Sequence, residues 1–152
     1  MTALTRPAAV PSWVRFFNPV ARALMAAGVP MGLNALVTIR GRRSGLPRTT
    51  PLTVIDAAGS RWVIAPFGEV DWVRNLRAAG RATIAVGRRR EEVTAVELEP
   101  PAREVFFRDV FAPRVRRTRI GTWIVRNVDR IDIDDPAEAA RGRPVFELRP
   151  VG

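Results

Sequence analysis

The chain has 152 residues, 47% of them hydrophobic, and a net charge of +10, which suits one domain with a real core and is too short for two. It contains no cysteine, histidine, tyrosine or lysine, so disulfides, Ser-His or Cys-His nucleophiles, Schiff-base lysines and histidine or thiolate metal sites are excluded. The remaining chemistry is Asp, Glu, Ser, Thr and Arg, so an enzyme built from this chain needs paired carboxylates or a bound cofactor for its difficult step.

Residues 12–27 form an amphipathic segment, with Ser12 as a cap, Gly28 as a stop and Pro19 interrupting it, as one bent helix or two short ones. Its face of Trp13, Phe16, Phe17, Val20 and Leu24 suits core packing, with peripheral membrane contact as the alternative. From residue 35 the pattern becomes strand-like: ALVTIR, then RTTPLTVID, then RWVIAP, the last two separated by AAGS as a hairpin turn. DWVRNLRAAG reads as a short helix capped by Asp71 and ended by Gly80, with Trp72, Leu76 and Ala79 on one face.

RATIAVG and EEVTAVELE follow as a second hairpin around Arg88, Arg89 and Arg90. After Pro100 and Pro101 a helical stretch runs to Val128, then DRIDIDDPAEAARGR reads as an acidic loop and PVFELRP as a closing strand. These elements predict an α+β fold, a small split antiparallel β-barrel of about six strands with flanking helices. The whole chain, 1–152, reads as one domain with an N-terminal helical segment at 1–34. No apolar run approaches the ~20 residues that span a bilayer, and no signal-peptide pattern opens the chain. The expected compartment is the cytoplasm.

The positive charge is all arginine, 25 residues, and most of it reads as solvated surface. The stretch GRRSGLPRTTP, Gly41 to Pro51, is different because it places three arginines and three hydroxyls on one tight turn after a strand. Two readings stand side by side: a concavity of backbone N–H groups and guanidiniums for an anion, or an ordinary charged hairpin tip. The turn is neither a Walker loop nor a dinucleotide fingerprint.

Taken in order, GRRSGLPRTTPL, a partner strand ending IAPFG, DWVRNLRAAGRATIAVG and a terminal PVFELRP resemble the deazaflavin-dependent nitroreductase family of split-barrel oxidoreductases. The resemblance covers roughly Ala35 to Val96 and the last strand. It implies coenzyme F-420, an 8-hydroxy-5-deazaflavin with a phosphate and an oligoglutamate tail, a polyanion of the kind an arginine-rich turn would receive. It also implies hydride transfer from the reduced coenzyme to a lipophilic acceptor: a quinone, a nitroaromatic or an enone. The alternatives are a split barrel holding FMN, a non-catalytic deazaflavin carrier and, from the charge alone, a nucleic-acid-binding barrel.

By that resemblance Arg42, Arg43 and Ser44 fall on the turn that binds tail and phosphate. Arg48, Thr49, Thr50, Pro51, Leu52 and Thr53 lie on the strand beside the cofactor. Ile64, Ala65, Pro66 and Phe67 match the strand end by the deazaflavin ring, and Trp72, Val73, Arg74 and Asn75 the helix start that closes the site. Trp72 reads equally as core, and Asn75 equally as an amide bonded to backbone. No catalytic acid and no metal ligand is assigned. Well-known members carry tyrosines around the substrate pocket, whereas this chain has none. The resemblance places the variable segment 113–143 on the substrate side, where Trp123 reads as pocket wall or core. Monomer and dimer both remain open.

Overall fold

The computed structural model describes residues 35–127 and 129–151. The expected N-terminal helix, with Trp13 and Phe17, lies outside them. The elements run β1 (Ala35–Arg40), β2 (Pro47–Leu52), β3 (Val54–Ala57), β4 (Ser60–Ile64), α1 (Asp71–Ala79), β5 (Arg81–Val86) and β6 (Arg89–Glu97). Then come α2 (Pro100–Phe106), a π-helical turn (Phe107–Phe111), α3 (Ala112–Val115), α4 (Arg119–Asn127), α5 (Pro136–Ala140) and β7 (Val145–Pro150).

The strands form one seven-stranded sheet in the order β2-β1-β5-β6-β7-β4-β3, every neighbouring pair antiparallel. Its two edge strands, β2 and β3, are separated in sequence by Thr53 alone. Leu52 and Val54 are therefore at most ~7 Å apart, which brings opposite edges together and curls the sheet into a split barrel. The expected α+β split barrel is present, with seven strands rather than about six. RTTPLTVID, one strand in the sequence reading, changes partner at Thr53, from β1 to β4. Period-2 alternation continues through the change, since Leu52 and Val54 are buried and Thr53 is exposed, so nothing in the hydrophobic pattern marks it. Pro47 and Pro51 sit on edge strand β2, where a missing N–H is tolerated.

Two cores result. Inside the barrel, Val37, Ile39, Val63, Ile84, Val93 and Phe146 pack together, and Val73 and Leu76 of α1, both fully buried, close one end. On the outer face of β3, β4 and β7, Ile55, Ile64 and Val145 are covered by Phe106, Phe107, Phe111, Val125, Ile131 and Ile133. The phenylalanines interlock: Phe107 meets Phe106 and Phe111 edge-on, each at 5.4 Å between centroids, and Trp62 lies 5.0 Å from Phe106.

Three local expectations need correction. Val70, not Asp71, is the N-cap of α1, which leaves Asp71 in the first helical turn where its charge favours the helix dipole. The hairpin tip is Gly87–Arg88, and Arg89 and Arg90 already belong to β6. The acidic "loop" 129–143 contains α5, capped by Asp135 accepting from the Glu138 N–H at 3.1 Å, and buries Ile131 and Ile133. Gly80 does end α1, at φ +69°.

Candidate functional site

The basic turn between β1 and β2 is closed by its own backbone. Gly41 N–H donates to the Leu46 carbonyl at 2.8 Å, Gly45 N–H to the Gly41 carbonyl at 2.9 Å, and Leu46 N–H to Ser44 Oγ at 3.1 Å. A side chain at Gly41 would place its Cβ 2.8 Å from Ser44 Oγ and 3.2 Å from the Leu46 carbonyl oxygen, and Gly45 sits at φ +70°. Gly45 therefore suits its left-handed position, and a side chain at Gly41 would displace Ser44 Oγ and crowd the Leu46 carbonyl. The consecutive N–H groups of Arg43 and Ser44 find no acceptor among the described residues, and Arg43, Ser44 and Arg48 are exposed. Two free amides beside unpaired guanidiniums form a concavity suited to an anion, which the sequence could not separate from a plain charged tip.

Arg42 turns the other way. Its N–H donates to Asn75 Oδ1 at 3.1 Å, its Nη1 to the same oxygen at 2.8 Å, and its Nη2 reaches Asp71 Oδ1 at 3.4 Å. Asn75 is the only buried polar or charged residue among the described residues, 7% exposed. Asp71 is nearly fully exposed, so that last contact contributes little. The buried amide of α1 is what holds the turn in place.

Along β2, the Thr49 and Thr38 hydroxyls lie 2.8 Å apart on the outer face, the face that the register also gives to Pro51. Arg48 and Thr50 stand opposite Ile39 and Val37 on the other face. Thr53 is at the sheet corner, ~20 Å along the strand from Pro47 at ~3.3 Å per residue. Leu52, Ile64, Ala65 and Val73 are buried core members.

The loop after β4 is tied down from the helical layer. Ala65 N–H donates to the Pro144 carbonyl at 2.9 Å, and Arg143 Nε donates to the Pro66 carbonyl at 3.1 Å. The remaining Arg143 nitrogens donate to the Ala139 carbonyl at 3.2 Å and the Arg130 carbonyl at 2.9 Å. Pro66 and Phe67 are half-buried, as are Arg74 and Trp72, whose ring lies 6.3 Å from that of Phe146.

At the end of the loop, Arg77 pairs with Glu97 and Glu69 at 2.6–2.9 Å, joining α1 to β6. Hydrogen bonding to Arg77, with the charges of Arg77, Arg74 and Arg103, holds the Glu69 carboxyl below its ordinary range. Arg77 and Arg143 escaped the sequence reading. In an arginine-rich chain, nothing local distinguishes a bracing guanidinium from a solvated one.

The structure thus brings together Arg42, Arg43, Ser44, Arg48 and Asn75 around one turn, with Trp72 and Arg74 on the same helix and Pro66 and Phe67 on the loop leading into it. It leaves Leu52 and Thr53 at the far end of β2. A cavity of about 540 Å³ opens beside the β3–β4 turn and the end of β7, lined by Asp56, Arg61, Glu147 and Arg149 among others, and holds none of the expected site residues. No cluster of acidic side chains suited to a metal ion occurs among the described residues.

Several solved structures are similar to the chain. A structure described as an F420-H2 dependent reductase (FDR-A) superposes with a TM-score of 0.50 at 22% identity, over 77% of this chain and 94% of that one. A structure described as a domain-swapped dimer gives 0.49 at 20%, covering 90% and 97%. A pyridoxamine 5'-phosphate oxidase, so described, from Listeria innocua gives 0.48 at 12%, covering 79% and 85%. No curated protein matches the chain. The first of these similarities supports the fold, and the family rests on sequence: the model of the F420H(2)-dependent quinone reductases matches residues 13–128. With most of its length matched and the split barrel in place, the chain belongs to the F420H(2)-dependent quinone reductase family, oxidoreductases whose reductant is reduced coenzyme F-420.

Proposed function

We propose that this protein transfers a hydride from reduced coenzyme F-420 to a lipophilic acceptor, a quinone first and an activated nitroaromatic or enone second. The observation that carries the reading is the turn 41–46, clamped to α1 through Arg42 and Asn75 while Arg43, Arg48 and two backbone N–H groups stay unpaired among the described residues. That donor set fits a ligand with a phosphate and a run of carboxylates, and a rigid turn spares the ordering cost of binding it. Arg42 acts as a brace. Arg43 and Arg48 hold the anionic tail, and Ser44, whose oxygen already accepts from Leu46, still offers its O–H.

Thr49 and Thr50 offer hydroxyls on opposite faces of the same strand, and Thr53 follows at its far end. Half-buried Pro66, Phe67 and Trp72 supply apolar surface where a ring would stack. Leu52, Ile64, Ala65 and Val73, their side chains spent on the core, offer backbone only, while Arg74 lends positive potential. When bound, the coenzyme supplies the hydride. The chain's residues hold it, exclude water and polarise the acceptor through Arg, Ser, Thr or backbone donors, since no His, Tyr, Cys or Lys is present. The segment 113–143, which packs beside the loop through Arg143, forms the acceptor side.

Coenzyme titration followed by tryptophan quenching tests this. Arg43→Ala with Arg48→Ala should weaken affinity about tenfold or more, as loss of charge-assisted contacts does, without lowering stability. Wild-type protein should oxidise the reduced coenzyme with a quinone and gain nothing from NADPH. Unchanged affinity in the double variant would move the tail site elsewhere. Tight binding without turnover on any acceptor would make the protein a carrier.

A further inference from the structure

Helix α4 exposes its largest apolar side chains. Ile120 is 69% and Trp123 60% exposed, while Val125 on the opposite face is buried. On a helix, positions three and four apart share a face, so Ile120, Trp123 and Asn127 form one stripe and Arg119, Trp123 and Arg126 the next. All five are exposed. Single exposed apolar residues are common and need no account. Here two large ones sit one turn apart in the middle of a cationic field.

That field is one-sided. From Ala112 to Asn127 the chain carries Arg114, Arg116, Arg117, Arg119 and Arg126 and no acidic residue. Arg116 and Arg126 both donate to Asp134, each at 2.6 Å, on its two carboxylate oxygens. One carboxylate thus braces two cations and leaves a net positive charge. Arg114, Arg117 and Arg119 have no ion pair among the described residues. A solvated face would place the arginines at its centre, whereas this one places Trp and Ile there with arginines around them.

An apolar stripe containing a tryptophan, flanked by arginines of which Arg114, Arg117 and Arg119 have no ion pair among the described residues, has the chemistry of a surface that lies in the headgroup layer of an anionic bilayer. We propose that α4 docks this protein on anionic lipid membranes, with Ile120 and Trp123 entering the interface and Arg117 and Arg119 meeting lipid phosphates. None of these residues is among those proposed to hold the coenzyme, although α4 lies within the segment 113–143 proposed above as the acceptor side.

Flotation with vesicles tests the proposal. Wild-type protein should bind vesicles of equal parts phosphatidylcholine and phosphatidylglycerol at least about tenfold more tightly than pure phosphatidylcholine, and lose that preference in high salt. Ile120→Ser with Trp123→Ser should weaken binding about tenfold or more while circular dichroism and melting temperature hold, because both side chains are already in water. Arg117→Ser with Arg119→Ser should remove part of the anionic preference. Absence of wild-type binding to the mixed vesicles would overturn the proposal and leave an acidic protein as the face's partner. Undiminished binding by the Ile120/Trp123 variant would equally overturn it and assign the contact to another segment.

Discussion

The oxygen of one amide, Asn75 Oδ1, receives both the backbone N–H and the guanidinium of Arg42, so a single buried residue couples the basic turn to α1. Deleting it leaves two partly buried Arg42 donors without their acceptor, at a cost of about 1–3 kcal/mol. Asn75→Ala should therefore lower the unfolding free energy by about 2 kcal/mol in a urea titration. Asn75→Asp keeps an acceptor and gives Arg42 an opposite charge, so it should stay within about 1 kcal/mol of wild type. Equal losses in both variants would mean that the amide NH₂, not the oxygen, holds the turn. The sequence left Asn75 between ligand contact and backbone-bonded amide because its partner is 33 residues away, beyond any local pattern. The glycines of the turn were legible because their constraint is local, a φ of +70° at Gly45 and a contact inside the turn at Gly41.

Among the elements, the helical layer after β6 separates residues that hold it together from residues that merely decorate it. Phe107 is 1% exposed and interlocked with Phe106 and Phe111, so Phe107→Ala should cost about 3–5 kcal/mol as transfer energy and cavity add. Trp123, mostly exposed on α4, should cost under about 1 kcal/mol on truncation, which settles against core packing. Thermal melts of the two variants side by side check this, and similar losses would mean that α4 is buried in solution. The hairpins and α1 were readable because alternation and capping are short-range signals. The partner switch at Thr53 and helix α5 were not. An unbroken alternation hides a change of partner, and Ile131 and Ile133 in an acidic context look like loop residues until the sheet behind them is known.

For the molecule as a whole, the net charge of +10 says little until its placement is known, because arginines among the described residues serve different roles. Arg42, Arg77 and Arg143 brace elements, Arg43 and Arg48 wait on the turn, and a third group surrounds α4. Fold class and coenzyme were legible because four motifs occur in a fixed order. The division of labour was not, since it depends on which acids and carbonyls the fold brings near. Asp129 shows the consequence for stability. Burial pushes its carboxyl up to about 6 from an ordinary 3.8, and the nearby positive charge of Arg143 offsets only part of that. Between those values the native state keeps a proton that the unfolded chain has lost. Stability therefore falls as pH rises from about 4 to about 6 and levels off above. Glu69, held low by Arg77, acts in the opposite sense: its contribution is present above its ordinary value and lost as pH falls from there through its lowered native value. Asp129→Asn removes the charge that burial penalises. The variant should match wild type near pH 4 and exceed it by about 2 kcal/mol at pH 7, the approximate worth of a two-unit shift less some relaxation. Urea unfolding at pH 4, 5, 6 and 7 measures the difference. A gap that does not widen across that interval would show that Asp129 titrates as a solvated carboxyl and that the knot around Arg143 carries no buried acid.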